Sequence, residues 1–114
     1  MKYIFAIIQP QRLKEVRAAL ARIGIDSLIV QEVARYGTHE EHTQYYRGAQ
    51  YEVGFLSKVR IEVFTSDEGW EEAVQAISQS ARTGTVGDGR IFVTSLEHTI
   101  QVKTGRMDTE PSSL

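Results

Sequence analysis

The apolar positions of this chain fall into stretches with a period of about two residues and stretches with a period of three to four. Residues 2–9 (KYIFAIIQ) form a near-continuous apolar and aromatic run closed by Pro10, which predicts a buried strand. In residues 11–24 (QRLKEVRAALARIG), Leu13, Val16, Leu20 and Ile23 recur at helical spacing, and Gly24 is a stop signal. Arg12, Lys14, Glu15, Arg17 and Arg22 make the solvated face of that helix. Strand character returns over residues 25–34 (IDSLIVQEVA). Residues 58–64 (KVRIEVF) alternate cleanly, with Val59, Ile61 and Val63 on one face and Lys58, Arg60 and Glu62 on the other. Thr65-Ser66-Asp67-Glu68 reads as a capping box, followed by a second helical stripe through Trp70, Ala73, Val74, Ile77 and Ala81. A glycine-rich turn, a short strand at 90–93 (RIFV), a last strand at 98–103 (HTIQVK) and a frayed polar tail complete the chain.

The order strand-helix-strand, strand-helix-strand predicts an α+β fold of the ferredoxin-like βαββαβ kind, both helices on one face of an antiparallel sheet. The connection between the second and third strands, about residues 36–56, is far longer than a hairpin needs. It holds four of the chain's five tyrosines (Tyr36, Tyr45, Tyr46 and Tyr51) together with Arg47, which is contact-surface chemistry. Residues 51–56 (YEVGFL) alternate enough to extend the third strand into a finger.

Composition narrows the function classes. The 114 residues suit one domain, and 41% hydrophobic with 25% charged residues is ordinary for a chain that buries its own core. A net charge of −2 lacks the footprint of a nucleic-acid binder, and no apolar stretch reaches membrane-span length. With no cysteine, thiolate metal sites and cysteine nucleophiles are excluded. The first residues carry no signal-peptide pattern, so a cytoplasmic protein without direct membrane insertion is expected.

Two stretches suggest chemistry. His39-Glu40-Glu41-His42 spaces its histidines at i and i+3, whereas the zincin pattern needs i and i+4 on a helix. Weak metal binding at His39 is the most it implies, and a solvated loop explains it as well. Residues 81–93 (ARTGTVGDGRIFV) place Gly84, Gly87 and Gly89 just before Arg90. Such a turn can point N–H groups inward and add a cation, which is an anion site, although neither the P-loop nor the Rossmann spacing is present. A ligand-free glycine hairpin is the even alternative. Lys58, Glu62 and Lys103 would join the site only if the third strand runs beside this turn. No catalytic constellation is found.

Taken together, YRGAQY at 46–51 and TGTVGDGRIFV at 83–93 resemble the PII signal-transduction proteins, and the likeness runs from MKYIFAIIQP to VKTG at 102–105 without obvious gaps. The resemblance implies a compact homotrimer that reads nitrogen and carbon status and is a sensor rather than an enzyme. It divides the chain into a domain over 1–104, with a T-loop at about 36–56 and a B-loop at about 82–90, and a C-loop tail over 105–114. ATP or ADP would bind in clefts between subunits through Ile7, Gly37, Glu62, Phe64, Gly87, Asp88, Gly89, Arg90 and Lys103. Arg47 matches an arginine that plugs an ammonium channel, and Tyr51 a tyrosine that some members have uridylylated. The target is an ammonium channel, another transporter or a metabolic enzyme, and a transporter would recruit the protein to the membrane.

The departures from the family pattern fall at the signal input. Thr38 and His39 replace an arginine and the glutamine that coordinates Mg²⁺ and helps build the 2-oxoglutarate site. Gln9 stands for a lysine and Gln101 for an arginine. His39 and Lys58 thus mark the effector region. The alternative reading is a divergent PII-like sensor that has lost 2-oxoglutarate and answers to ADP or AMP plus another small anion or a metal.

Overall fold

The cleanest alternation in the sequence becomes a central strand of the molecule. In this computed structural model residues 1–36, 42–46, 49–53 and 55–111 are described, with side chains for 1–36 and 57–111. Strand β1 (Lys2–Ile8) leads through a single 3-10 turn (Pro10–Arg12) into α1 (Leu13–Arg22) and then β2 (Ile29–Tyr36). A separate ribbon of β3 (His42–Tyr46) and β4 (Ala49–Val53) precedes β5 (Phe55–Thr65), α2 (Trp70–Ala81) and β6 (Gly89–Ser95). The main sheet runs β2-β5-β1-β6 with every neighbouring pair antiparallel. This is the ferredoxin-like order that the alternating elements predict.

Period-two burial explains the sheet. Ile4, Ala6 and Ile8 of β1 and Val59, Ile61 and Val63 of β5 are buried with Val16 and Leu20 of α1 and Ala73, Ile77 and Ala81 of α2. Both helices therefore cover one face. α1 ends as Gly24 predicts, in a positive-φ conformation (89°), with Gly24 N–H donating to Ala21 O at 3.0 Å and Ile25 N–H to Leu20 O at 2.9 Å.

On the opposite face Tyr3, Phe5, Phe64 and Phe92 form a continuous aromatic band. Phe5 stacks on Phe92 with centroids 4.5 Å apart, Tyr3 lies 5.6 Å from Phe5, and Tyr3 lies 5.5 Å from Phe64. Among the described residues no helix covers this face.

Several expectations change. β2 begins at Ile29 rather than residue 25. Residues 51–56 do not simply lengthen the third strand: Ala49–Val53 pairs with His42–Tyr46, and β5 starts at Phe55. The capping box does not form, because Thr65 is still in β5 and buried, its Oγ1 without a partner. Ser66 takes the role instead, its Oγ accepting from Gly69 N–H at 3.0 Å ahead of α2. The strand expected at 98–103 is replaced by a reversal, in which Ile100 bridges Met107 and Asp108 N–H donates to Thr99 O at 2.9 Å. Alternation alone could not reveal that the chain folds back on itself here, and the same bonds hold a stretch expected to fray.

Candidate functional site

The glycine turn is built around Asp88. Its carboxylate accepts from Thr83 N–H and Gly84 N–H, both at 2.9 Å, from the Thr83 hydroxyl, and from Gln9 Nε2 at 3.2 Å. The Thr83 hydroxyl first, then these backbone bonds, hold its pKa below the ordinary 3.8. Asp88 thus acts as an internal anion, taking up N–H groups that the sequence suggested for a ligand.

Gly89 admits no other residue. Its φ is 115°, and a Cβ there would lie 1.8 Å from Ile7 O on the paired strand. This close approach seats the turn directly on β1, with Ile8 opposite Gly89 and Ile7 opposite Arg90.

The conditional part of the sequence reading is met for one residue. Lys58, on β5, reaches the turn and donates from Nζ to Gly87 O at 2.7 Å. Its side chain is 7% exposed although charged. Burial lowers its pKa most, Arg35 lowers it further, and Asp88 opposes them. A lysine in that state gains from any anion placed beside it.

Around these groups lies a cavity of about 630 Å³ lined by Ile7, Val33, Ala34, Arg35, Lys58, Arg60, Gly87, Gly89, Arg90 and Phe92. It brings together five of the sequence-derived site residues: Ile7, Lys58, Gly87, Gly89 and Arg90. Four cationic side chains line it, and among the described residues no carboxylate does. Such a pocket, with an apolar wall from Ile7 and Phe92, suits an organic anion. Arg35 and Arg60 were not selected as site residues from the sequence. The signal for Arg60 was its place in the alternation beside Lys58, and Arg35 had none until β2 was paired with β5.

The other candidates do not line this cavity. Glu62 is bound to Arg60, accepting from its Nε at 2.8 Å. Phe64 lines a different cavity, of about 330 Å³, with Ile23, Asp26, Ser27, Glu72 and Pro111. Lys103 is exposed in the turn of the 99–108 reversal. Gln101 anchors that reversal, its amide donating to Asp108 Oδ1 at 2.9 Å and its backbone O accepting from Gly105 N–H at 2.8 Å. Gly37, Thr38, His39 and Arg47 lie outside the described residues. Tyr51 is in β4 opposite Gln44, and its side chain is likewise outside them.

Comparison with known proteins follows the same outline. A family model described as Nitrogen regulatory protein P-II matches residues 1–106. The nitrogen regulatory protein P-II of Rhizobium etli is 49% identical over 110 residues, covering 96% of this chain and 98% of the relative. That of Azospirillum brasilense is 49% identical over 105 residues, covering 92% and 94%. The nitrogen regulatory protein GlnK of Escherichia coli K12 is 44% identical over 108 residues, covering 95% and 96%.

Proposed function

Because the chain belongs to the nitrogen regulatory protein P-II family, we propose that it is a homotrimeric signal-transduction regulator that binds ATP or ADP in clefts between subunits and controls a target through the 36–56 loop. The family's name makes it a regulatory protein, and the chain is read as a regulator rather than an enzyme. The observation that carries the nucleotide reading is the cationic cavity at the glycine turn, where Lys58 and Arg90 stand beside an apolar wall. The trimer reading is supported by the aromatic band on the open sheet face, which needs a second layer, and further copies of the chain would supply it. Glu62, Phe64 and Lys103, which do not line the cavity in one subunit, would then complete clefts from a neighbour.

In regulators of this type, ligand binding redistributes loop conformations that differ in partner affinity. The target is an ammonium channel, another transporter or a metabolic enzyme, met through Arg47, with Tyr51 as the modification position. Among the described residues no helix is long and apolar enough to cross a membrane. The protein would act from the cytoplasm and reach a membrane only through a transporter.

A second reading, in which 2-oxoglutarate is no longer the effector, draws on Gln9. This neutral side chain is held at both ends, donating to Asp88 and accepting from Gln11. It offers no cation to a carboxylate beside the turn. Isothermal titration with ATP, ADP and AMP, each with and without Mg²⁺ and 2-oxoglutarate, separates the two. Binding of 2-oxoglutarate that depends on nucleotide sinks the second reading; absence of any nucleotide binding sinks the first.

A further inference from the structure

The helix layer carries its charges at opposite ends. Arg12, just before α1, bonds Ser80 in the last turn of α2, while Ile23 and Gly24, just after α1, share a cavity with Gly69 and Glu72 at the start of α2. The two helices are therefore antiparallel, side by side on one face of the sheet. The end that holds the start of α1 exposes Lys14 and Arg17, with Arg82 following α2. The other end exposes Glu68, Glu71 and Glu72, one helix length (about 15 Å) away. Glu15 at the basic end and Arg22 at the acidic end each offset one charge, and the polarity remains.

The two ends differ in what explains them. Glu71 and Glu72, in the first turn of α2, meet the positive end of that helix's dipole and stabilise the fold where they stand. Lys14 lies in the first turn of α1 and Arg17 just after it, at the end of a helix where cations are unfavourable. Neither side chain makes a hydrogen bond or ion pair with another described residue. Fold stability thus accounts for the acidic end and not for the basic one, which calls for an anionic partner. Lys14 and Arg17 also share a cavity of about 270 Å³ with Ala18, Ala21, Ile25, Asp26 and Leu28, so a partner gains apolar contact there as well as charge.

We propose that the helix layer is a docking surface for the helix layer of a second copy of this chain, laid antiparallel so that the basic end of each covers the acidic end of the other. A two-fold arrangement satisfies both ends at once, because each copy presents both signs. The chain's net charge of −2 opposes the approach only weakly. The layer is small: α1 has 10 residues and α2 has 12, so it measures about 18 Å by about 20 Å. That is roughly half the area per partner of a stable interface, which makes the contact weak, dependent on concentration and sensitive to salt. It lies on the face opposite the aromatic band, so it stands apart from both the trimer and the nucleotide reading.

The test is sedimentation velocity of the full chain from about 10 µM to about 500 µM, at about 20 mM and about 300 mM salt. At low salt, wild type should shift from its smallest assembly to larger ones as concentration rises. High salt should abolish the shift, because screening shortens the reach of exposed charges. Lys14→Glu with Arg17→Glu turns the basic end acidic, and Glu71→Lys with Glu72→Lys turns the acidic end basic. Each double variant alone should weaken the association by about tenfold or more, and an equimolar mixture of the two should regain it. The four positions are exposed, and circular dichroism with thermal melts checks the fold. The Lys14, Arg17 variant should melt no lower than wild type, because it removes cations from the positive end of α1. A wild type that keeps its smallest assembly at every concentration and both salts overturns the inference. So does association that both variants retain, or a mixture of the folded variants that associates no better than either alone.

Discussion

Asp88 shows how one side chain can change what a glycine-rich turn offers. A run of glycines before an arginine promises free N–H groups for a phosphate, yet the carboxylate two residues before Arg90 folds inward and accepts from Thr83 and Gly84. With those two N–H groups taken, the cavity at the turn keeps Gly87 and Gly89 in its lining beside the cationic rim and Lys58. The depressed pKa fixes the sign of the pH dependence: Asp88's contribution is present above its ordinary 3.8 and is lost as pH falls through the lower folded value. Amide exchange followed by NMR should show Thr83 and Gly84 protected at neutral pH and losing that protection below pH 3.8, while the amides of β1 stay protected to lower pH. Protection of Thr83 and Gly84 persisting well below that, alongside an intact β1, would mean that the carboxylate is not what closes the turn.

Arg12 joins the two helices. The sequence places it on the solvated face of the first helix, and the structure places it in the turn before α1, where Nε and Nη2 donate to Ser80 O at 2.9 and 2.6 Å. Ser80 lies in the last turn of α2, whose final carbonyls lack helical partners, so a guanidinium there both satisfies an acceptor and meets the negative end of the helix dipole. Arg12→Ala should cost on the order of 1–2 kcal/mol in denaturant unfolding. Arg12→Lys should restore part of it, since a point charge keeps the dipole contact and loses the second bond. A variant as stable as wild type would make this contact incidental. The same contact also ties the entry of α1 to the exit of α2, just before the glycine turn, so loosening it should raise amide exchange at Thr83 as well.

For the whole molecule the deciding feature is a sheet with two helices on one face and an aromatic band on the other. A two-layer fold leaves that band in need of cover, and a trimer of this chain would supply it. Phe92 is 40% exposed and stacked on Phe5, so if the proposed trimer packs this band, Phe92→Asp should leave the circular dichroism spectrum intact and give a monomer in light scattering where wild type gives a trimer. A trimer that persists in the variant would place the assembly contacts elsewhere. Much of this architecture was readable in the sequence. Period-two burial in 58–64, helical stripes in 13–23 and 70–81, and the stop at Gly24 depend only on which side chains must leave water, and they determine the elements and the ferredoxin-like order. The motifs at 46–51 and 83–93 determine the family. Tertiary structure decided the rest, because it depends on pairing between distant residues. Only the register of β2 on β5 brings Arg35 to the cavity, only the approach of Gly89 to Ile7 seats the turn, and only folding tells whether Asp88 serves a ligand or the loop. Local sequence sets which groups are present, and which of them share a cavity is set by strand order.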